Sequence, residues 1–200
     1  MLPEVILTGR EAPAALAETL THQDIEGLVS LLSEKADELR YAALLTLCAR
    51  SDTHADVYPY WGLFAEKIGN ENSYQRSIGL ILTAHNVKWD TEHRFDNVIE
   101  AYLSHCQDEK FITSRQAIQN IPVWAPYAKT HLARTAEALM GIDIPALKDS
   151  QRKLILLDIL HALISIRRVQ PTAEIDVYIL NALTGGLLDK KSMKEIQELL

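Results

Sequence analysis

Long apolar runs, cysteine and positive charge are all in short supply in this 200-residue sequence. No apolar run approaches the roughly 20 residues that a helix needs to cross a bilayer. The two cysteines, Cys48 and Cys106, are too few and too far apart for a disulfide framework or a zinc finger, so we expect two buried thiols. The start, MLPEVILTGREAPAAL, has an acidic Glu4 and lacks the basic first residues of an export signal, which predicts a cytoplasmic protein.

The charge balance argues against a phosphate backbone as the main partner. The formal net charge is −7 and the sequence pI is about 5.5, whereas affinity for nucleic acid is largely supplied by cations. Residues 1–100 carry 8 basic against 16 acidic side chains, and residues 101–200 carry 12 against 11. The acidic excess therefore lies in the first half.

Motifs that would carry catalysis or hold a cofactor are also absent. The sequence contains no glycine-rich phosphate loop and no nucleophile elbow. None of the seven histidines forms HExxH or pairs with a cysteine at the spacing of a metal finger. We therefore expect no catalytic residue, no cofactor and no metal site.

Four arginines recur at nearly equal spacing, each early in an apolar helical pattern. The steps between them are 36, 39 and 37 residues, and a period in this range is typical of a helical solenoid. Small and branched apolar residues follow at three- and four-residue steps, as on one stripe of a helix. Asn120 and Pro122 interrupt the third copy and predict an early end to its helix. The arginines lie in ADELRYAALLTL (Arg40), NSYQRSIGLILTA (Arg76), FITSRQAIQNIPVW (Arg115) and KDSQRKLILLDIL (Arg152).

Each arginine helix is preceded by a predicted partner helix. The pattern places these partners at about 24–33, 57–68, 95–107 and 128–140, with a further helix near 174–185. The segment SMKE predicts a capping box that opens a last helix at Ser192, and Asp24 and Thr172 are candidate caps for others. No strand pattern is present, so the fold class is all-α.

The paired helices resemble HEAT repeats, which carry an acidic or Asn residue in the turn and an arginine early in the second helix. Asp37, Asn72 and Asp149 match that turn position, while Thr113 before Arg115 departs from it. RYAALLTL, VYPYWGLFAE and ENSYQRSIGLIL…KWD resemble a group of small bacterial HEAT-like, armadillo-like proteins, some of which carry a SufBD label. The resemblance implies one domain, 1–200, built as a short right-handed α-solenoid of about four to five repeats. Its parts would be a capping segment 1–21, four repeats over 22–170 and capping helices over 171–200.

The arginines allow two interpretations. They could form a row that binds a partner's carboxylates or phosphates, or each could pair with a turn Asp or Asn of its own or the next repeat. HEAT-type repeats use the arginine in the second way, so we favour a structural role for Arg40, Arg76, Arg115 and Arg152.

Residues beside the arginines are the candidates for a partner-binding surface, because the second helices of such repeats line the concave face. These candidates are mostly uncharged and form hydrogen bonds, which suits a polypeptide. We expect Trp61 and Trp89 to pack in the core. Trp124 lies beside two prolines and is predicted to be exposed. The full set of candidates is Tyr41, Gln75, Ser77, Gln116, Gln119, Lys153 and Trp124.

His85, Trp124 and His161 each lie nine residues after an aligned arginine. They could line a pocket on adjacent second helices, or the histidines could be half-buried in helix interfaces. Both interpretations stay open.

The sequence thus favours a non-enzymatic scaffold that binds a protein or peptide. The alternative is a HEAT-like nucleic-acid-processing enzyme of the alkylpurine DNA glycosylase kind, which the acidic charge disfavours. A third possibility is a protein that self-associates through the ends of its repeat array.

Overall fold

The computed structural model describes residues 3–200, and within that range the protein is all-helical, with no strand. The all-α prediction is confirmed. The chain forms two compact units, a first unit that ends at Val98 and a second unit, Ile99–Leu200. The division into one solenoid domain of repeats and capping segments stays a prediction, and residues 1–2 of the predicted cap lie outside the described residues.

The first unit contains six α-helices. Two short 3-10 turns, Val87–Trp89 and Arg94–Asn97, follow the last of them. The helices are α1 (Pro3–Gly9), α2 (Pro13–Glu18), α3 (His22–Leu31), α4 (Asp37–Thr53), α5 (Trp61–Ile68) and α6 (Ser73–Asn86).

The second unit contains seven α-helices. Short 3-10 turns at His105–Gln107 and Lys129–His131 extend two of the helical segments. The helices are α7 (Ile99–Ser104), α8 (Phe111–Gln119), α9 (Ile121–Trp124), α10 (Leu132–Met140), α11 (Asp149–Val169), α12 (Ala173–Thr184) and α13 (Lys190–Leu199).

The core of the first unit is built across helix pairs. Leu28 of α3, Leu47 of α4, Phe64 of α5 and Leu82 of α6 belong to one buried cluster. The N-terminal helices α1 and α2 pack on α4, and Ile6 of α1 joins the same cluster. Each short helix therefore buries its apolar stripe against a neighbour.

Helix α11 is the centre of the second unit. It is 21 residues long, and α8, α9, α10, α12 and α13 all pack against it. Its buried residues include Ile159, Leu160 and Leu163, which point to more than one side of the helix.

Two predicted caps are wrong in detail. Helix α13 begins at Lys190, because Asp189 caps it by accepting a hydrogen bond from the Ser192 amide at 2.8 Å. Thr21 caps α3, and Asp24 is its partner in a capping box: the Asp24 carboxylate accepts from the Thr21 amide at 3.0 Å. The Thr172 cap on α12 is confirmed. In both cases the residue that caps the helix lies three residues before the predicted one. A cap and its partner exchange hydrogen bonds at this spacing.

Gly79 sets the distance between α5 and α6. A Cβ atom at this position would lie 2.7 Å from the Phe64 carbonyl oxygen and 2.7 Å from the Ile68 nitrogen. Both are backbone atoms of α5 and cannot rotate away. Only glycine fits such a close approach of two helices.

We expect Gly79→Ala to lower the free energy of unfolding by about 2 kcal/mol or more, because α5 and α6 must separate. Gly27→Ala is the matched control, since nothing lies within 4 Å of a Cβ atom there. It should raise the free energy of unfolding by about 0.5–1 kcal/mol, because alanine favours a helix interior. Urea unfolding followed by circular dichroism measures both; equal effects of the two variants would contradict the close approach.

Candidate functional site

Three of the four repeat arginines fold back onto the turn that precedes their own helix. Arg40 donates to the Glu34 carbonyl at 2.7 Å and pairs with the Asp37 carboxylate at 2.5 Å. Arg152 donates to the Leu147 carbonyl at 2.9 Å and pairs with Asp149 at 2.7 Å. These arginines tie the turn to the first turn of the helix, which is the kind of contact expected of a structural role.

Arg76 performs the same task with backbone partners. Its guanidinium donates to the Asn70 carbonyl at 3.1 Å and to the Glu71 carbonyl at 2.9 Å. Asn72, the predicted turn partner, instead caps α6 by accepting from the Tyr74 amide at 2.9 Å.

Arg115 differs from the other three. It forms a two-pronged ion pair with Asp158 of α11, at 2.6 and 3.0 Å, and Gln119 donates to the same carboxylate at 2.9 Å. The Asp158 side chain is almost fully buried, and the ion pair raises the pKa of Arg115. The third copy was predicted to be irregular. Its arginine differs from the others in that its partner lies in the middle of a neighbouring helix.

In the first unit, helices α4 and α6 present two parallel stripes at the surface. Tyr41 is exposed, with Leu45 half-buried behind it on α4. One period further along the chain, Ser77, Ile81 and His85 are half-buried on α6. The candidates Tyr41 and Ser77 therefore lie on surface-facing stripes of second helices.

Two exposed tyrosines stand against guanidinium groups on this surface. The Arg10 guanidinium lies 5.1 Å from the Tyr41 ring centroid, and the Arg40 guanidinium lies 5.5 Å from that of Tyr74. Tyr41 is 47% exposed and Tyr74 65%. Such contacts hold the rings in place, and ordered aromatic side chains make good contact points for a partner.

Gln75 is directed into the first unit, contrary to its proposed role at a surface. Its amide nitrogen donates to the Leu32 carbonyl at 3.0 Å, and its oxygen accepts from the Lys67 ammonium. Lys67 also donates to the Ser33 hydroxyl at 3.2 Å, and burial lowers the pKa of Lys67. These bonds join consecutive helix pairs, so Gln75 has a structural role.

Some of the candidate partner-binding residues in the second unit also form contacts within the protein. Lys153 pairs with Asp189 at 2.7 Å, and Gln119 holds Asp158 as described above. Gln116 is half-buried on α8. Lys153 keeps 41% of its side chain exposed, which leaves it able to meet a partner.

The expectation that Trp124 is exposed is wrong. Its side chain has no exposed surface and packs edge-on against Tyr102, with the ring centroids 6.0 Å apart. Helix α8 ends at Gln119, and Pro122 opens the separate short helix α9, which turns Trp124 inward. Trp124 therefore cannot contact a partner. Trp61 is buried, as predicted, whereas Trp89 is only half-buried, and its indole nitrogen donates to the Ser51 carbonyl at 2.7 Å.

The proposed pocket of His85, Trp124 and His161 loses its central member with that burial. His85 contacts Asp52 at 2.9 Å within the first unit, and His161 contacts Glu195 at 2.9 Å within the second. Both histidines lie in helix interfaces, which was the other interpretation left open.

Asp158→Ala should lower the free energy of unfolding by about 2–3 kcal/mol, because it leaves the partly buried Arg115 without its carboxylate. Asp149→Ala is the matched control. Its side chain is 90% exposed, and Arg152 keeps two backbone carbonyls, so a change below about 0.5 kcal/mol is expected. Urea unfolding measures both. A small effect of Asp158→Ala on the free energy of unfolding would contradict a stabilising role for the ion pair between α8 and α11.

Both thiols should be unreactive in the folded protein. Burial raises the pKa of Cys106 to about 12 and that of Cys48 higher still. Because the thiolate is the reacting form, a raised pKa leaves very little of either thiol reactive at pH 8. A colorimetric disulfide reagent at pH 8 should find no thiol in the native protein over minutes and two in denaturant. Rapid native labelling would contradict the burial.

Searches for known sites and relatives add no function. In residues 3–200, no group of three or more His, Cys, Asp or Glu side chains could hold a metal ion. None of the helices described has both the length and the apolar character needed to cross a membrane. Comparisons with protein families, curated proteins and solved structures found no match. A function for this chain therefore rests on its own surfaces.

Proposed function

We propose that this chain is a HEAT-like repeat protein that acts as a non-enzymatic binding module. It docks a protein or peptide on the exposed faces of its second helices, the helices that carry the repeat arginines. The single observation that carries the proposal is the pair of surface stripes on α4 and α6.

Contacts at one repeat period support the repeat assignment. In the first unit, Asn86 donates to the Ser51 hydroxyl 35 residues earlier, and Lys67 donates to Ser33 34 residues earlier. In the second unit, Arg134 bonds Glu100 at a separation of 34, and Lys153 bonds Asp189 at a separation of 36. Bonds between neighbouring repeats have this separation, because each repeat contacts only the next one.

The composition of the stripes supports a polypeptide partner. Tyr41 and Tyr74 offer large, exposed amphipathic rings. Tyrosine is enriched at the contact points that dominate binding between proteins. In the second unit, Gln116 and Lys153 are the corresponding polar positions beside Arg115 and Arg152.

The arginines do not contribute a cationic binding row in this proposal. Arg40 and Arg152 are held by turn carboxylates, and Arg115 is held by Asp158. A phosphate chain would meet few free cations on these helices. The proposed partner is for that reason a protein or peptide.

The test is affinity capture from a native lysate on the immobilised chain, followed by mass spectrometry. The wild-type chain should retain a partner that the Tyr41→Ala/Tyr74→Ala double variant loses. With the purified partner, each tyrosine change should weaken binding roughly tenfold, as for a contact residue of high energy. Calorimetry gives the dissociation constants.

Leu63→Ala is the control, because Leu63 is an exposed apolar side chain on α5, outside the stripes. It should leave the retained proteins and the affinity unchanged. If the double tyrosine variant retained the same proteins with the same affinity, the assignment of the α4–α6 surface would be overturned.

A further inference from the structure

A groove runs between α10 and the start of α12 in the second unit. It consists of two adjoining cavities of about 480 and 430 Å³. Met140 and Glu174 line both, so the cavities form one continuous depression. Its size is in the range of binding sites for ligands and anchoring side chains.

The floor of the groove is apolar. Leu132 and Ala136 of α10, Ile166 of α11 and Ile175 of α12 form it, and all four are buried. The wall continues along α12 to Val177, which is 56% exposed. An apolar side chain from outside would be removed from water on this floor.

Small residues on α10 keep the groove open. Ala133 and Ala136 contribute only small side chains to the lining of the groove, and Gly141 follows the end of the helix. Met140 lies at the junction of the two cavities. Its flexible thioether side chain can adapt to different apolar groups.

The charge on the rim is negative. Glu137 and Glu174 line the groove, and none of its described lining residues is Lys or Arg. Hydrogen bonds from its own backbone amide and from the Thr172 hydroxyl lower the pKa of Glu174, so it is ionised at neutral pH. The groove thus offers an apolar floor beside carboxylates.

Two arginines of α10 and α11 form ion pairs in this region, and one of them contacts a rim carboxylate. Arg134 pairs with Glu100 at 3.2 Å and lies 3.5 Å from Glu137, so one cation is shared by two anions. Arg167 pairs with Asp176 at 2.5 Å. Arg134 therefore compensates Glu137 only in part, and no ion pair is formed by Glu174 among the contacts described, so the rim keeps a net negative charge.

We propose that this groove binds a polypeptide segment of a partner that carries an apolar side chain next to a Lys or Arg. The apolar side chain packs on the floor around Met140, and the cation pairs with Glu137 and Glu174. This site belongs to the second unit, includes no residue of α4 or α6, and does not depend on the function proposed above. A polypeptide fits because the groove is open along its length, whereas small ligands favour enclosed pockets.

The experiment is a selection of a random peptide library, displayed on phage, against the full-length chain. Enriched peptides should share an aliphatic or aromatic residue beside Lys or Arg. A synthetic peptide of that consensus, labelled with a fluorophore, is then titrated with the protein and its anisotropy is measured.

Two kinds of variant test the location. Ala133→Trp fills the first cavity from an exposed position, and Glu137→Gln/Glu174→Gln removes the charge of the rim. Each should weaken binding of the peptide roughly tenfold or more, because an anchor and its ion pair carry most of the affinity. Ala101→Trp on α7, also exposed and outside the groove, is the matched control and should bind like the wild-type chain.

If Ala133→Trp fails to fold by circular dichroism, Ala173→Trp, at an exposed position lining the second cavity, replaces it. The proposal is overturned by a selection without a consensus, or by a consensus that is acidic or uncharged. It is also overturned by a consensus peptide that binds the filled variants as tightly as the wild-type chain. Binding lost only in the Tyr41→Ala/Tyr74→Ala variant would place the peptide on the α4–α6 surface instead.

Discussion

Short amphipathic helices cannot bury their apolar stripes alone, and the rest of this structure follows from that constraint. Helix α3 has 10 residues and α5 has 8, which is too short for stable isolated helices in water. Each gains its stability from a neighbour, as the shared cluster of Leu28, Leu47 and Phe64 shows. Hydrogen bonds between side chains 34 or 35 residues apart show the same dependence of a helix on its neighbour.

The arginines show how a polar side chain can stabilise the turn between two packed helices. A turn between two helices leaves carbonyl groups without helical partners, and a guanidinium can satisfy several at once. Arg76 and Arg152 each bond two such carbonyls within their own hairpin, and Arg40 bonds one. Arg115 bonds a carboxylate on α11 instead, and there the helix after it is broken by Pro122. A residue repeated in the sequence therefore need not have a repeated partner.

The helix pairs and their arginines could be predicted from the sequence because both depend on local spacing. Trp124 was mispredicted, since the direction of a side chain after a break at Pro122 depends on the packing of α9 and not on helical period. Tyr74 was not among the predicted surface residues, although it lies two residues before Arg76. At that position the exposed aromatic ring lies apart from the apolar stripe of the helix. The groove beside α12 was missed for a different reason. The groove exists because Ala133 and Ala136 are small. A sequence does not show which residues of another helix lie opposite such small side chains.

The central position of α11 has a consequence for synthesis on the ribosome, where a chain emerges from its N-terminus. Helices α1 to α6 can pack on one another once Val98 has left the exit tunnel. Helices α8, α9 and α10 emerge before α11, and they lack their main neighbour until translation has passed Val169. Buried groups such as Leu132 and Trp124 are therefore open to water and to chaperones for that interval. The nascent second half is the part of this protein with the greater need for protection from aggregation.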